Sequence, residues 1–79
     1  MKDFLEYTAR SLVDEPDRVA VEVDEREHEV ELTLTVDEGD MGKVIGRDGR
    51  IAKALRNLLR VMATRDGRHV ELEIRSHDE

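Results

Sequence analysis

Apolar and polar positions alternate in three separate stretches of this chain, and elsewhere their spacing is that of a helix. Residues 18–24, RVAVEVD, set Val19, Val21 and Val23 against Ala20, Glu22 and Asp24. Residues 28–36, HEVELTLTV, turn Val30, Leu32, Leu34 and Val36 one way and Glu29, Glu31, Thr33 and Thr35 the other. Residues 68–75, RHVELEIR, set Val70, Leu72 and Ile74 against His69, Glu71, Glu73 and Arg75. A period of two describes a strand with one buried face. The first two strands are separated only by EREH, so they read as a hairpin.

Residues 3–13 read as a helix, with Leu5, Thr8 or Ala9, and Leu12 on one face and Phe4 and Val13 beside it. Asp14-Glu15-Pro16-Asp17 ends it, because proline disfavours helix in the residue before it. After a loop over 37–40, Asp40 is placed to cap a short helix, MGKVI. A longer helix runs from about Arg50 to Thr64 and stops at Asp66-Gly67. Residues 76–79 read as a polar tail. The order is α-β-β-α-α-β. The hairpin is antiparallel, and the βααβ unit must cross over to place the last strand parallel to the second. The expected fold is α+β: a mixed three-stranded sheet with three helices on one face and the other face wet. One domain over 1–79 is expected, with an ordered core of about 2–75.

The long helix carries more apolar surface than a helix on a small sheet needs. Counted from Ile51 at about 100° per residue, Ile51, Leu55, Leu58 and Met62 cluster between about −20° and 40°. That stripe suffices for the core. Leu59, Ala52 and Ala63 on one side, and Ala54 and Val61 on the other, widen the arc to about 200°, against the roughly 100° of an ordinary surface helix. Either the first helix and the sheet cover all of it, or one flank meets a second copy across a two-fold axis. In the second case Leu58, Leu59, Val61 and Met62 supply the dimer interface.

Charge is divided unevenly. The net charge of −7 argues against a generic nucleic-acid binder. Yet residues 41–68 hold eight Lys/Arg against Asp48 and Asp66, a net of +6, while the rest of the chain holds five against eighteen acids, a net of −13. A basic island in an acidic chain is either a solvated helix face or a local phosphate-binding patch. With no cysteine, disulfides and thiolate metal sites are excluded. The opening MKDFLEYTARSLV has neither the apolar run of a signal peptide nor that of a membrane span, so a cytoplasmic protein with no membrane partner is expected.

The basic island contains VIGRDGRI, residues 44–51, in which two glycines bound a charged turn between two helical segments. Gly-x-x-Gly can be only a tight corner, since glycine reaches backbone angles other residues avoid. It also stands at a helix start, where unpaired N–H groups and a partial positive charge favour phosphate. Lys43, Arg47, Arg50 and Lys53 surround it with positive charge, and Val44, Ile45 and Ile51 are candidates for an apolar wall against bases. Asp48 is the one acid of the turn; it either opposes a phosphate or caps the following helix. No aromatic stands near the loop to stack on a base, which points to sequence-tolerant binding.

VIGRDGRIAKALR resembles the signature of the KH RNA-binding domain, whose Gly-x-x-Gly loop clamps the backbone of about four single-stranded nucleotides. The element order resembles the type II arrangement of that fold. The stretch DMGKVIGRDGRIAKALR in a chain of this size is similar to the KhpA family of small bacterial KH proteins, over roughly residues 2–75. The resemblance implies single-stranded RNA as ligand, with Gly46, Arg47, Asp48 and Gly49 as the clamp. It also implies a homodimer, a larger KhpB-like KH partner, and a role in post-transcriptional regulation and cell elongation. It implies no cofactor.

Other constellations lead nowhere. GDMGKV lacks the spacing and the Ser/Thr of a P-loop. His28, His69 and His77 lack helical ligand spacing, although the first two stand at strand ends that can meet. Glu22, Glu31, Glu71 and Glu73 fall on the open sheet face by alternation alone. No nucleophile stands beside a base, so no catalysis is expected.

Overall fold

The computed structural model describes residues 1–78. Its helices and strands are α1 (Lys2–Leu12), β1 (Ala20–Glu25), β2 (Glu29–Val36), α2 (Met41–Ile45), α3 (Arg50–Arg65) and β3 (His69–Ser76), the expected order. Single 3-10 turns stand at Pro16–Arg18, Glu38–Asp40 and Arg47–Gly49. The sheet order is β1-β2-β3. β1 pairs antiparallel with β2, and β2 pairs parallel with β3. The three helices share one face: α1 packs on β1, α3 on β3, and α2 touches both other helices.

β2, flanked on both sides, buries Val30, Leu32, Leu34 and Val36. β1 buries only Val21, with Val19 just before it, and leaves Val23 exposed toward its far end. The histidine backbones continue the β2–β3 ladder at both ends: His69 N–H donates to the His28 carbonyl (2.9 Å) and His77 N–H to the Val36 carbonyl (3.1 Å). β3 therefore runs through Ser76, which is buried, and the polar tail is shorter than the pattern suggested. Glu79, the end of that tail, lies outside the described residues.

The long helix sits in a different phase from the one its large residues suggested. Its buried stripe is Ala52, Leu55, Leu59 and Ala63. These positions span about 80° of the helix circumference. Two alanines bring the backbone close to the sheet, and close approach selects small side chains over large ones. Ile51 and Met62 fall on the flank of this stripe, half-buried, and Leu58 and Val61 are left 50% and 56% exposed. Leu59 is 0% exposed. It belongs to the core and is removed from the expected dimer surface.

Candidate nucleic-acid interface

The two glycines of the loop do different work. Gly46 ends α2 at φ 77°, ψ 172°, a combination reserved almost entirely for glycine. A Cβ there would lie 2.7 Å from Ile51 Cγ1, so Ile51 packs directly on the bare glycine. Gly49, at φ 74°, ψ 15°, is left-handed, but a Cβ would meet nothing within 4 Å. Its missing side chain leaves the approach to the first turn of α3 open. Between them Asp48 is itself left-handed at φ 56°, ψ 24°, a conformation that Asp and Asn tolerate better than most residues. Among the described residues its carboxylate makes no capping hydrogen bond to α3, so of its two alternatives the capping one is absent.

Arg47, Arg50 and Lys53 are exposed around this loop, and among the described residues none of them is engaged in an ion pair. Farther along α3, Arg56 donates to the Leu72 carbonyl of β3 at 3.4 Å. With Leu59, Arg60, Val70, Glu71 and Leu72, it lines a shallow groove between α3 and β3. β3 is an edge strand. Because His69 and His77 turn their N–H groups toward β2, alternation turns the backbone N–H and C=O of Val70, Leu72 and Ile74 outward, the first two along this groove. The groove thus has Arg56 and Arg60 on one wall and the outward edge of β3 on the other, with the Leu72 carbonyl already taken by Arg56. Arg56 and Arg60 were legible as part of the basic island, but only the true phase of α3 brings them to β3.

The other residues expected at the site are accessible to different degrees. Val44 is 0% exposed and belongs to the core, so it contacts no ligand. Ile45 and Ile51 are half-buried, and Ile51 spends its contact on Gly46. Lys43 is not a free cation: its Nζ lies 2.9 Å from Asp14 Oδ2 and 3.3 Å from Asp40 Oδ1. Asp40, 2% exposed, does not cap α2 with its side chain; it accepts the backbone N–H groups of Asp14 (3.2 Å) and Glu15 (3.1 Å) instead. Burial alone would push its carboxyl up. The two N–H groups and Lys43 outweigh burial and hold it below the usual aspartate range. Hydrogen bonds to Asp14 and Asp40 in turn raise the Lys43 ammonium above the ordinary lysine value, against the opposing effect of burial.

The family model of the KhpA/KhpB KH domain matches residues 2–74. The chain belongs to this family. The chain is 47% identical over 74 residues to the RNA-binding protein KhpA of Aquifex aeolicus, covering 94% of both chains. It is 46% identical to the KhpA of Halalkalibacterium halodurans, covering 94% of this chain and 97% of the relative. Against the KhpA of Chlamydia trachomatis the identity is 45%, with 94% and 95% covered. Among solved structures the fold is similar to a part of Era, crystallised with MgGDPNP and nucleotides 1506–1542 of 16S ribosomal RNA. The TM-score is 0.57 at 24% identity, covering 95% of this chain and 29% of Era. That likeness bears on the fold: a KH arrangement of type II, in which Gly46 and Gly49 of this chain stand between α2 and α3.

Proposed function

We propose that this protein binds single-stranded RNA by its sugar-phosphate backbone at the glycine loop, as a cytoplasmic KH protein acting in post-transcriptional regulation. The observation that carries the reading is the open space over Gly49, at the start of a 16-residue helix, ringed by Arg47, Arg50 and Lys53, which have no ion-pair partner among the described residues. Phosphates meet the Arg47, Arg50 and Lys53 side chains over the open start of α3, where the Gly49 and Arg50 N–H groups are already donated to the Gly46 and Arg47 carbonyls, and the strand then runs along Arg56 and Arg60 beside the edge of β3. The relatives named above are RNA-binding proteins, which supports the same reading. Replacing Gly49 by Asp places a carboxylate where the phosphate approaches, in a backbone conformation aspartate accepts at a cost of about 1 kcal/mol. Fluorescence anisotropy with a labelled single strand should then show affinity falling at least about tenfold while the circular dichroism spectrum is unchanged. Unchanged affinity in a folded variant rejects the clamp.

The exposed Leu58 and Val61 favour a second role beside the first: a homodimer, with the same flank open to a KhpB-like partner. On the helical wheel Leu58 and Val61 point about 100–160° away from Arg56 and Arg60, so association through them leaves the groove free. Light scattering at micromolar concentration, with Leu58→Glu and Val61→Glu, tests it. A wild-type monomer, or dimers surviving in both variants, rejects this surface.

A further inference from the structure

The buried carboxylate of Asp40 ties three segments together, and its network ends on a cation of α2, the helix that leads into the glycine loop. The Asp14 N–H donates to Asp40 Oδ1 and the Glu15 N–H to Asp40 Oδ2, so the loop after α1 is fastened to the start of α2. Lys43 donates to Asp40 Oδ1 and, at the shorter distance of 2.9 Å, meets the side chain of Asp14. Asp14, Asp40 and Lys43 thus form a closed ring. Its members differ in how firmly they are held. Asp40 is fixed by burial and by backbone donors. The Asp14 carboxylate is exposed and has only the ammonium. Exposed ion pairs are weak, so Asp14 is the member that another anion displaces at least cost.

Lys43 stands one helical turn before Gly46, about 4.5 Å along the axis of α2. Its flexible stem and three N–H donors suit it to a phosphate as a point charge. Asp14 fills the outward position.

We propose that Asp14 limits the affinity of this protein for RNA, by occupying the Lys43 ammonium that a backbone phosphate beside the glycine loop would otherwise take. The inference rests on the RNA reading above. Binding at this point is an exchange of one anion for another, so Lys43 contributes less to affinity than its position implies, and removing Asp14 releases it.

The test is a set of anisotropy titrations with one labelled single-stranded oligonucleotide over a range of salt concentrations. Asp14→Asn should tighten binding about fivefold at low ionic strength and steepen the salt dependence by about 0.7 in log–log slope, one additional phosphate contact. Glu15→Gln changes the net charge equally at the neighbouring exposed position and should give a clearly smaller gain. In the Asp14→Asn background, Lys43→Gln should erase the gain. An equal gain from Glu15→Gln would show that only general electrostatics is at work, and a gain surviving Lys43→Gln would show that the ammonium is not involved; either result overturns the proposal. Absence of RNA binding in the wild type and in all variants rejects the parent reading, and this one with it. Wild-type binding with an indifferent Asp14→Asn rejects this inference alone.

Discussion

The open face of the sheet and the groove beside α3 belong to the same small domain, yet they carry opposite charge. Across the open face the strand register sets Glu22, Thr33 and Glu73 in one row, and Asp24, Glu31 and Glu71 in the next, with Glu29 beside His69. Arg26 at the margin is hydrogen-bonded to Asp24, and with the charges of Asp24, Glu31 and Glu29 this holds its guanidinium proton more tightly than usual. On the helix side the loop and α3 present Arg47, Arg50, Lys53 and Arg60, and among the described residues no acid is paired to any of them. A net charge of −7 therefore describes neither surface. The domain's shorter dimensions are 22 and 20 Å. The Debye length at physiological salt is about 8 Å, so a phosphate in the groove feels little of the acidic face. At low salt that face repels a polyanion from the wrong side and leaves the groove as the approach.

The two regions also differ in what they demand of the backbone. The open face needs only alternation, which many residues satisfy. The loop needs Gly46, because its φ/ψ is a glycine region and Ile51 fills the space of a Cβ. Gly46→Ala should cost about 3 kcal/mol, combining left-handed strain and overpacking. In a domain of 79 residues that lowers the melting temperature by roughly 12–24 °C, the largest effect expected here. A thermal melt within about 3 °C of wild type would show that Ile51 and the loop relax freely.

Charge reversal separates the regions next. Arg56→Glu with Arg60→Glu should weaken RNA binding about tenfold or more and flatten the salt dependence by roughly 1.4 in log–log slope, two phosphate contacts. Glu22→Lys with Glu73→Lys, an equal but opposite change on the open face, should alter affinity less than about twofold at physiological salt. Comparable effects from the two pairs would mean that the groove is not the binding surface.

Much of this contrast was legible in the chain and part was hidden, for identifiable reasons. Strand alternation determined the three strands and the acidic face, because a period of two leaves no choice of side. The phase of α3 was misjudged because Ala52 and Ala63 count little on a hydrophobic scale, although their size decides which side approaches the sheet. Val44 and Lys43 were assigned to the site by their nearness to the glycines along the chain. One points into the core, and the other is bound by Asp14 and Asp40. The Asp40 contacts to Asp14 and Glu15 span 26 and 25 positions, a separation that no local pattern reveals.

Acid offers a third separation, because the buried carboxylate of Asp40 stands at the start of α2, on the helix side of the sheet. The folded-state pKa of Asp40 is below its ordinary value, so its contribution to stability is fully present above about pH 4 and is lost as the pH falls through the lowered value. Lys43 has the opposite sign: its raised value means a contribution present below about pH 10 and lost as the pH rises through it. Urea titrations between about pH 7 and 2 should show the difference between wild type and Asp40→Asn shrinking as the pH drops. A difference independent of pH would mean that the charge of Asp40 is not what matters.

The smallest effect expected is on the acidic face itself. Glu31 lies between Asp24 on β1 and Glu71 on β3 in register, with its side chain exposed. Like charges directly opposite one another on a sheet are destabilising, and pairs of this kind are worth about 0.2–1 kcal/mol. Glu31→Thr removes one member of both pairs and repeats the residue already found at Thr33 and Thr35 on the same strand and face. Threonine also suits a half-buried strand better than glutamate. Against these gains stands the loss of one carboxylate near Arg26, an exposed group that keeps its partners Asp24 and Glu29. The balance should favour the folded state by about 0.5 kcal/mol at low salt, fading as salt screens the repulsion. RNA affinity should stay within about twofold. Destabilisation instead would mean that the acidic face is held together by Arg26 more than it is strained by its own charges.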